Sequence, residues 1–141
     1  MQRTPLRYVP CEEIRDLTLE VSRRPSCAMA ISIARFALDQ NSMREPVIDQ
    51  VLELARANPV DSATRESLEQ RVRQLDDVYF NAQEAGEEYE SAFRRARAVN
   101  SAMHALDSNP EVAVVEAIYE AAAAVPDRVL FARFLKGLLA T

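Results

Sequence analysis

Apolar residues along this chain recur on steps of three and four in almost every stretch between prolines, and that spacing predicts helices throughout. Ile14, Leu17 and Val21 share one face of a first helix over 11–22. A second, over 26–40, is apolar nearly all round, with Cys27, Met29, Ile31, Ile33, Phe36 and Leu38, which marks a central, buried element. A third, over 43–57, should bury Val47, Ile48, Val51, Leu52 and Leu54 while turning Asp49, Gln50, Glu53 and Arg56 outward. Two more, over 110–124 and 127–139, carry Val112, Val115, Ile118, Tyr119 and Ala122, then Leu130, Phe131, Phe134, Leu135 and Leu138.

Between them runs a longer pattern: Leu68, Val72, Leu75, Tyr79, Ala82, Gly86, Tyr89, Phe93, Ala96 and Met103 form a heptad-like stripe. Its phase passes through Gly86 unbroken, so the preferred reading is one long or bent central helix over 62–107, reaching about 65 Å at 1.5 Å per residue. Such a helix would stand out from a compact monomer and could form a homodimer along the 68–103 stripe. The alternative is a break near Gly86 that yields two antiparallel helices.

The pentapeptide ALDQN at 37–41 returns as ALDSN at 105–109, and the likeness extends on both sides. Ala28, Ala30, Ala34 and Ala37 match Ala96, Ala98, Ala102 and Ala105. After a one-residue slip, Val47, Glu53, Ala55, Ala57 and Pro59 match Val114, Glu120, Ala122, Ala124 and Pro126. A helical hairpin occurring twice, at 27–59 and 95–126, fits this pattern. Each ALDxN reads as a corner between helices: Ser42 and Glu45 have capping-box spacing, and Asn109 precedes Pro110 and Glu111. The second copy of the first helix, over 94–107, is the more polar and is expected at an edge.

The composition agrees with this. The 141 residues include only two glycines, 48% are apolar and 28% are charged, which suits a single all-α domain over 1–141: a bundle of about six or seven helices. A net charge of -5 argues against a general nucleic-acid binder, because phosphate affinity needs a concentrated Lys/Arg face. No apolar run reaches the roughly 20 residues of a membrane span, two cysteines are too few for a disulfide framework, and the N-terminus lacks a signal-peptide core, so a cytoplasmic protein is expected.

Motifs that carry chemistry are scarce. His104 is the only histidine and lies mid-helix, Cys11 and Cys27 stand outside any CxxC and read as structural thiols, and the common nucleotide and zinc signatures are missing. Neither cofactor, metal nor catalytic set is assigned. Carboxylates are the surplus resource: Asp76, Asp77, Glu84, Glu87, Glu88 and Glu90 crowd 76–90 without a Lys or Arg among them. Asp49 and Glu53 stand four residues apart, as do their repeat counterparts Glu116 and Glu120. Like charges at that spacing cost a helix about 0.2–0.5 kcal/mol, unless they are well solvated or faced by a cation.

These features point to a non-catalytic protein that binds another protein with a basic surface. Its sharpest form is a stoichiometric inhibitor of the bacterial immunity or antitoxin kind, with Asp49, Glu53, Glu116, Glu120, Glu84, Glu87 and Glu88 on the contact surface. Two alternatives compete with it. One is a metal-dependent phosphohydrolase that uses helical carboxylates. The other is a helical subunit of a nucleoprotein complex contacting RNA through Arg71, Arg73, Arg94, Arg95 and Arg97.

Overall fold

The computed structural model describes residues 11–141, and among them there are seven helices and no strand. They are α1 (Glu12–Val21), α2 (Cys27–Gln40), α3 (Pro46–Ala55), α4 (Ser62–Glu84), α5 (Glu90–Ala105), α6 (Pro110–Ala124) and α7 (Arg128–Leu139). Polar N-caps set several of the starts. Ser26, Asp61 and Asp127 each accept the backbone N–H three residues on, at 3.1, 2.8 and 3.0 Å, and Asn109 accepts from Glu111 at 3.0 Å.

The centre of the bundle is α2, α5 and α6, with α4 packed on the outer side of α5 and the α1–α7 pair closing the other end. α5 was expected at an edge and is instead buried along much of its length. Its average polarity misleads, because the two polar residues it buries both have partners. Ser101 Oγ donates to the Ala117 carbonyl at 2.8 Å, and Asn100 Nδ2 donates to Glu120 at 2.6 Å. Ala98, Ala102, Ala117 and Ala121 are buried in the same two helices, and their small side chains allow the close approach that the Ser101 bond records. At the other end Phe36 of α2 stacks on Phe134 at 4.1 Å and on Phe131 at 6.1 Å, joining α7 to the core.

The long helix is broken. α4 ends in a Schellman turn in which the Gly86 N–H bonds to Gln83 O at 3.2 Å and the Glu87 N–H to Ala82 O at 2.9 Å, with Gly86 at φ +73°. The chain then reverses, and α5 returns along α4. Stripe residues that could have met a second copy meet each other: Tyr79 packs on Tyr89 at 5.6 Å and on Phe93 at 5.2 Å. A Cβ at Gly86 would touch nothing within 4 Å, so Gly86→Ala isolates the backbone term. It should cost about 1–2 kcal/mol, the penalty of a left-handed non-glycine residue, measured as a drop in the urea midpoint at unchanged slope.

A second correction lies at the first corner. Ser42 opens no helix: it sits at φ +54° as the left-handed residue that ends α2, with the Met43 N–H bonded to Leu38 O at 2.9 Å. Helix α3 starts three residues later than that capping box required, at Pro46, and Glu45 makes no cap bond. Its carboxylate is taken by Arg71 of α4, which donates from Nε at 3.0 Å and from Nη2 at 2.6 Å. The bidentate pair outcompetes a backbone cap, and it raises the Arg71 guanidinium above its ordinary value. The two corners therefore differ. Asn41 closes α2 and reaches across to the Ala124 carbonyl at 3.0 Å, whereas Asn109 itself caps α6. α5 and α6 run packed together, but α2 and α3 do not.

Other side chains also depart from the expected pattern. Val47 and Leu54 of α3 are exposed, since α3 buries one face only, that of Ile48, Val51 and Leu52. Cys27, expected in the core, is exposed because it is the first residue of α2.

Candidate functional site

The seven acids expected on a contact surface are placed in three different settings. Asp49 and Glu53 lie on α3 facing Arg35 of α2, whose Nη1 is 3.3 Å from Asp49 and whose Nη2 is 3.8 Å from Glu53. The cation opposite explains why the helix tolerates the like-charge pair, and the arrangement ties α3 to α2. Glu116 is half-buried on α6.

Glu120 contradicts the expectation that all four repeated acids face solvent, because it is 6% exposed between α5 and α6. Arg97 Nη1 donates to its two oxygens at 3.4 and 3.1 Å, and Asn100 Nδ2 donates to Oε1 at 2.6 Å. The same guanidinium reaches α4, where Nη2 meets Asp76 at 2.9 Å. Arg97 therefore joins three helices. Burial raises the Glu120 carboxyl above its ordinary value, against the opposing pull of Arg97, His104 and Asn100. Arg97 Nε is buried without a hydrogen-bond partner, so the guanidinium is held but not fully satisfied.

Glu84, Glu87 and Glu88 are together at the tip of the α4–α5 hairpin, all exposed. Glu88 also braces the start of α5, where it accepts the Ser91 N–H at 3.0 Å and the Ser91 hydroxyl at 2.9 Å, and these bonds hold its carboxyl below the ordinary value. Glu90 meets Arg94 at 3.7 Å. Among the described residues Asp77, Glu84 and Glu87 have no ion pair, so the net charge of the tip is negative.

The structure adds aromatic and aliphatic surface to these acids. Phe80 is 56% exposed, Val78 55% and Tyr89 37%. On α4 the Phe80 side chain lies between Asp76 and Asp77, one turn before it, and Glu84, one turn after. Beneath it Tyr79 touches Phe80 at 4.9 Å, and Phe93, under Tyr79, carries the Arg97 guanidinium 5.8 Å above its ring. Reading the stripe alone misses Phe80 and Val78. The signal for Phe80 was present, since it is a large aromatic lying off the Leu68–Leu75–Tyr79 face and flanked by acids.

Elsewhere the surface offers little chemistry. The cleft of about 340 Å³ beside Cys27 is lined by Arg56, Pro59, Arg65 and Asp107, with Arg65 and Asp107 paired at 3.7 Å. Among the described residues no three His, Cys, Asp or Glu side chains converge in a way that could hold a metal ion, and no helix is long and apolar enough to cross a membrane. Comparison with known proteins finds no matching family model, no similar curated protein and no similar solved structure.

Proposed function

We propose that this chain is a non-catalytic binding protein that docks the tip of its α4–α5 hairpin onto a basic surface of another protein. The supporting observation is the pairing of exposed Phe80 and Tyr89, joined through Tyr79, with the uncompensated carboxylates of Asp77, Glu84 and Glu87. Protein interfaces concentrate their energy in aromatic anchors, and complementary charges at the rim speed encounter and select the partner. A hairpin tip with an aromatic end, held by an α5 that is packed into the bundle, suits docking onto a basic cleft. Stoichiometric inhibition by occlusion is the mode of action we assign to it.

The repeated acids Asp49, Glu53 and Glu120 support the fold through Arg35 and Arg97, which leaves the tip as the proposed contact surface. The test uses a defined probe, an amphipathic helical peptide with Lys and Arg on one face and Leu on the other, followed by fluorescence anisotropy. Phe80→Ala should weaken binding about tenfold to thirtyfold, an anchor worth roughly 1.4–2 kcal/mol. Asp77→Lys with Glu87→Lys should weaken it further and flatten its salt dependence as the Debye length falls from about 10 to about 3 Å. Equal affinity of wild type and both variants would remove the tip from consideration.

A further inference from the structure

We infer that the Glu120–Arg97–Asp76 bridge is a proton-operated clamp on the hairpin tip: ionised Glu120 holds Arg97 against α4 and Phe93, and neutral Glu120 lets the tip aromatics loosen. This rests on the reading of the tip as a docking surface and adds a means of regulating it.

The contacts form one unbroken line. Glu120 on α6 accepts from Arg97 at 3.1 Å, Arg97 donates to Asp76 at 2.9 Å, and Asp76 lies one helical turn before Tyr79 and Phe80. In parallel, the Arg97 guanidinium covers Phe93 at 5.8 Å, Phe93 packs on Tyr79 at 5.2 Å, and Tyr79 touches Phe80 and Tyr89 at 4.9 and 5.6 Å. In the structure the guanidinium is anchored to both carboxylates, and the released state of the clamp leaves it on Asp76 alone. Its buried Nε makes no hydrogen bond, so the doubly anchored state leaves one donor unmet. A neutral Glu120 keeps an oxygen for the Asn100 amide but withdraws the charge that balances Arg97 from the α6 side. With that anchor weakened, Arg97 follows Asp76 toward solvent and uncovers Phe93.

The surrounding charges leave Glu120 as the switching group. From α5 it faces Arg97 and His104, and from α4 Asp76 stands across the guanidinium. Glu116 precedes it by one turn on α6. The charged residues of α2 are engaged elsewhere, Arg35 with Asp49 and Glu53, and Asp39 with Arg44 at 3.0 Å. On α1, Glu13 is held by Lys136 at 2.8 Å. Burial raises Glu120 above its ordinary value, which moves its protonation toward mildly acidic conditions.

The experiment is an NMR pH titration of the full chain, following the Glu120 side-chain carboxyl carbon, the Arg97 Nε–H and the backbone amides of Phe80 and Tyr89. All four should move with one midpoint, above the ordinary glutamate value. In Glu120→Gln the tip amides should stay at their acidic positions across the whole range. In Asp76→Asn, which frees Arg97 for Glu120 alone, the midpoint should fall. A His104→Gln control should keep the transition, because the imidazole is a neighbour of the switch and not the switch. If Glu120 titrates while the tip amides stay still, or if the tip shows the same transition in Glu120→Gln, the clamp does not exist. Peptide binding at neutral pH reads the docking surface independently, so loss of the clamp and loss of the docking surface give separate results.

Discussion

Arg97→Met should lower the unfolding free energy by about 3–5 kcal/mol at neutral pH, because it leaves the Glu120 carboxylate buried and unpaired. The variant preserves most of the side-chain volume, so the loss reports charge and not packing. Glu120→Leu alone should also be costly, since it removes one of the two carboxylates that balance Arg97 and the acceptor of the Asn100 amide, but the double variant Arg97→Met with Glu120→Leu should recover most of the deficit. The pH dependence has a definite sign. Burial raises Glu120 in the folded state, so the stability linked to its protonation is fully present below the unfolded value and is lost as pH rises through the folded value. The Arg97→Met deficit should therefore shrink on acidification, as Glu120 takes up a proton and no longer needs its partner. Urea unfolding of the four proteins at neutral and mildly acidic pH measures all of this.

Phe131→Ala should cost a comparable amount, about 3–5 kcal/mol, and should do so at every pH. Phe131 is 1% exposed, lies 6.1 Å from the Phe36 ring, and is the main bulk by which α7 is attached to the bundle. Removing it opens a cavity walled by residues that cannot collapse without moving α2 or α1. The variant should also release α7 early, seen as faster hydrogen exchange over Arg128–Leu139 than over α5 and α6. Uniform exchange across the three helices would mean that α7 unfolds only with the whole.

Much of the architecture could be read directly from residue patterns. Prolines and caps placed α6 within a residue of its ends, and the periods of Ile14, Leu17 and Val21, and of Phe131 and Leu135, identified buried faces. The errors have physical causes. The stripe from Leu68 to Met103 keeps its phase across Gly86 because antiparallel helices joined by a tight turn still point their apolar sides at each other; periodicity reports faces and is silent on chain direction. α5 looked too polar for the centre because Asn100 and Ser101 count as polar until their partners on α6 are known. The Ser42 and Glu45 spacing satisfied a capping box, but Arg71, twenty-six residues away from Glu45, claimed the carboxylate.

The candidate site was legible in charge and illegible in geometry. The acidic run over 76–90 announced an electronegative surface, and three of its glutamates do sit together at the tip. The Asp49/Glu53 and Glu116/Glu120 spacing left solvent and a facing cation both open, and all four acids were expected at the surface. Arg35 supplies that cation for the first pair and Arg97 for Glu120, yet only the tertiary packing shows that Glu120 is interior.

The docking surface is tested most directly by titrating isotope-labelled full chain with the Lys, Arg and Leu amphipathic peptide and mapping which backbone amides move. If the hairpin tip is the contact, the shifts should concentrate between Asp77 and Glu90, centre on Phe80 and Tyr89, and vanish in Phe80→Ala. Shifts centred on Asp49 and Glu53 of α3, or saturable binding that leaves the 77–90 amides in place, would contradict it.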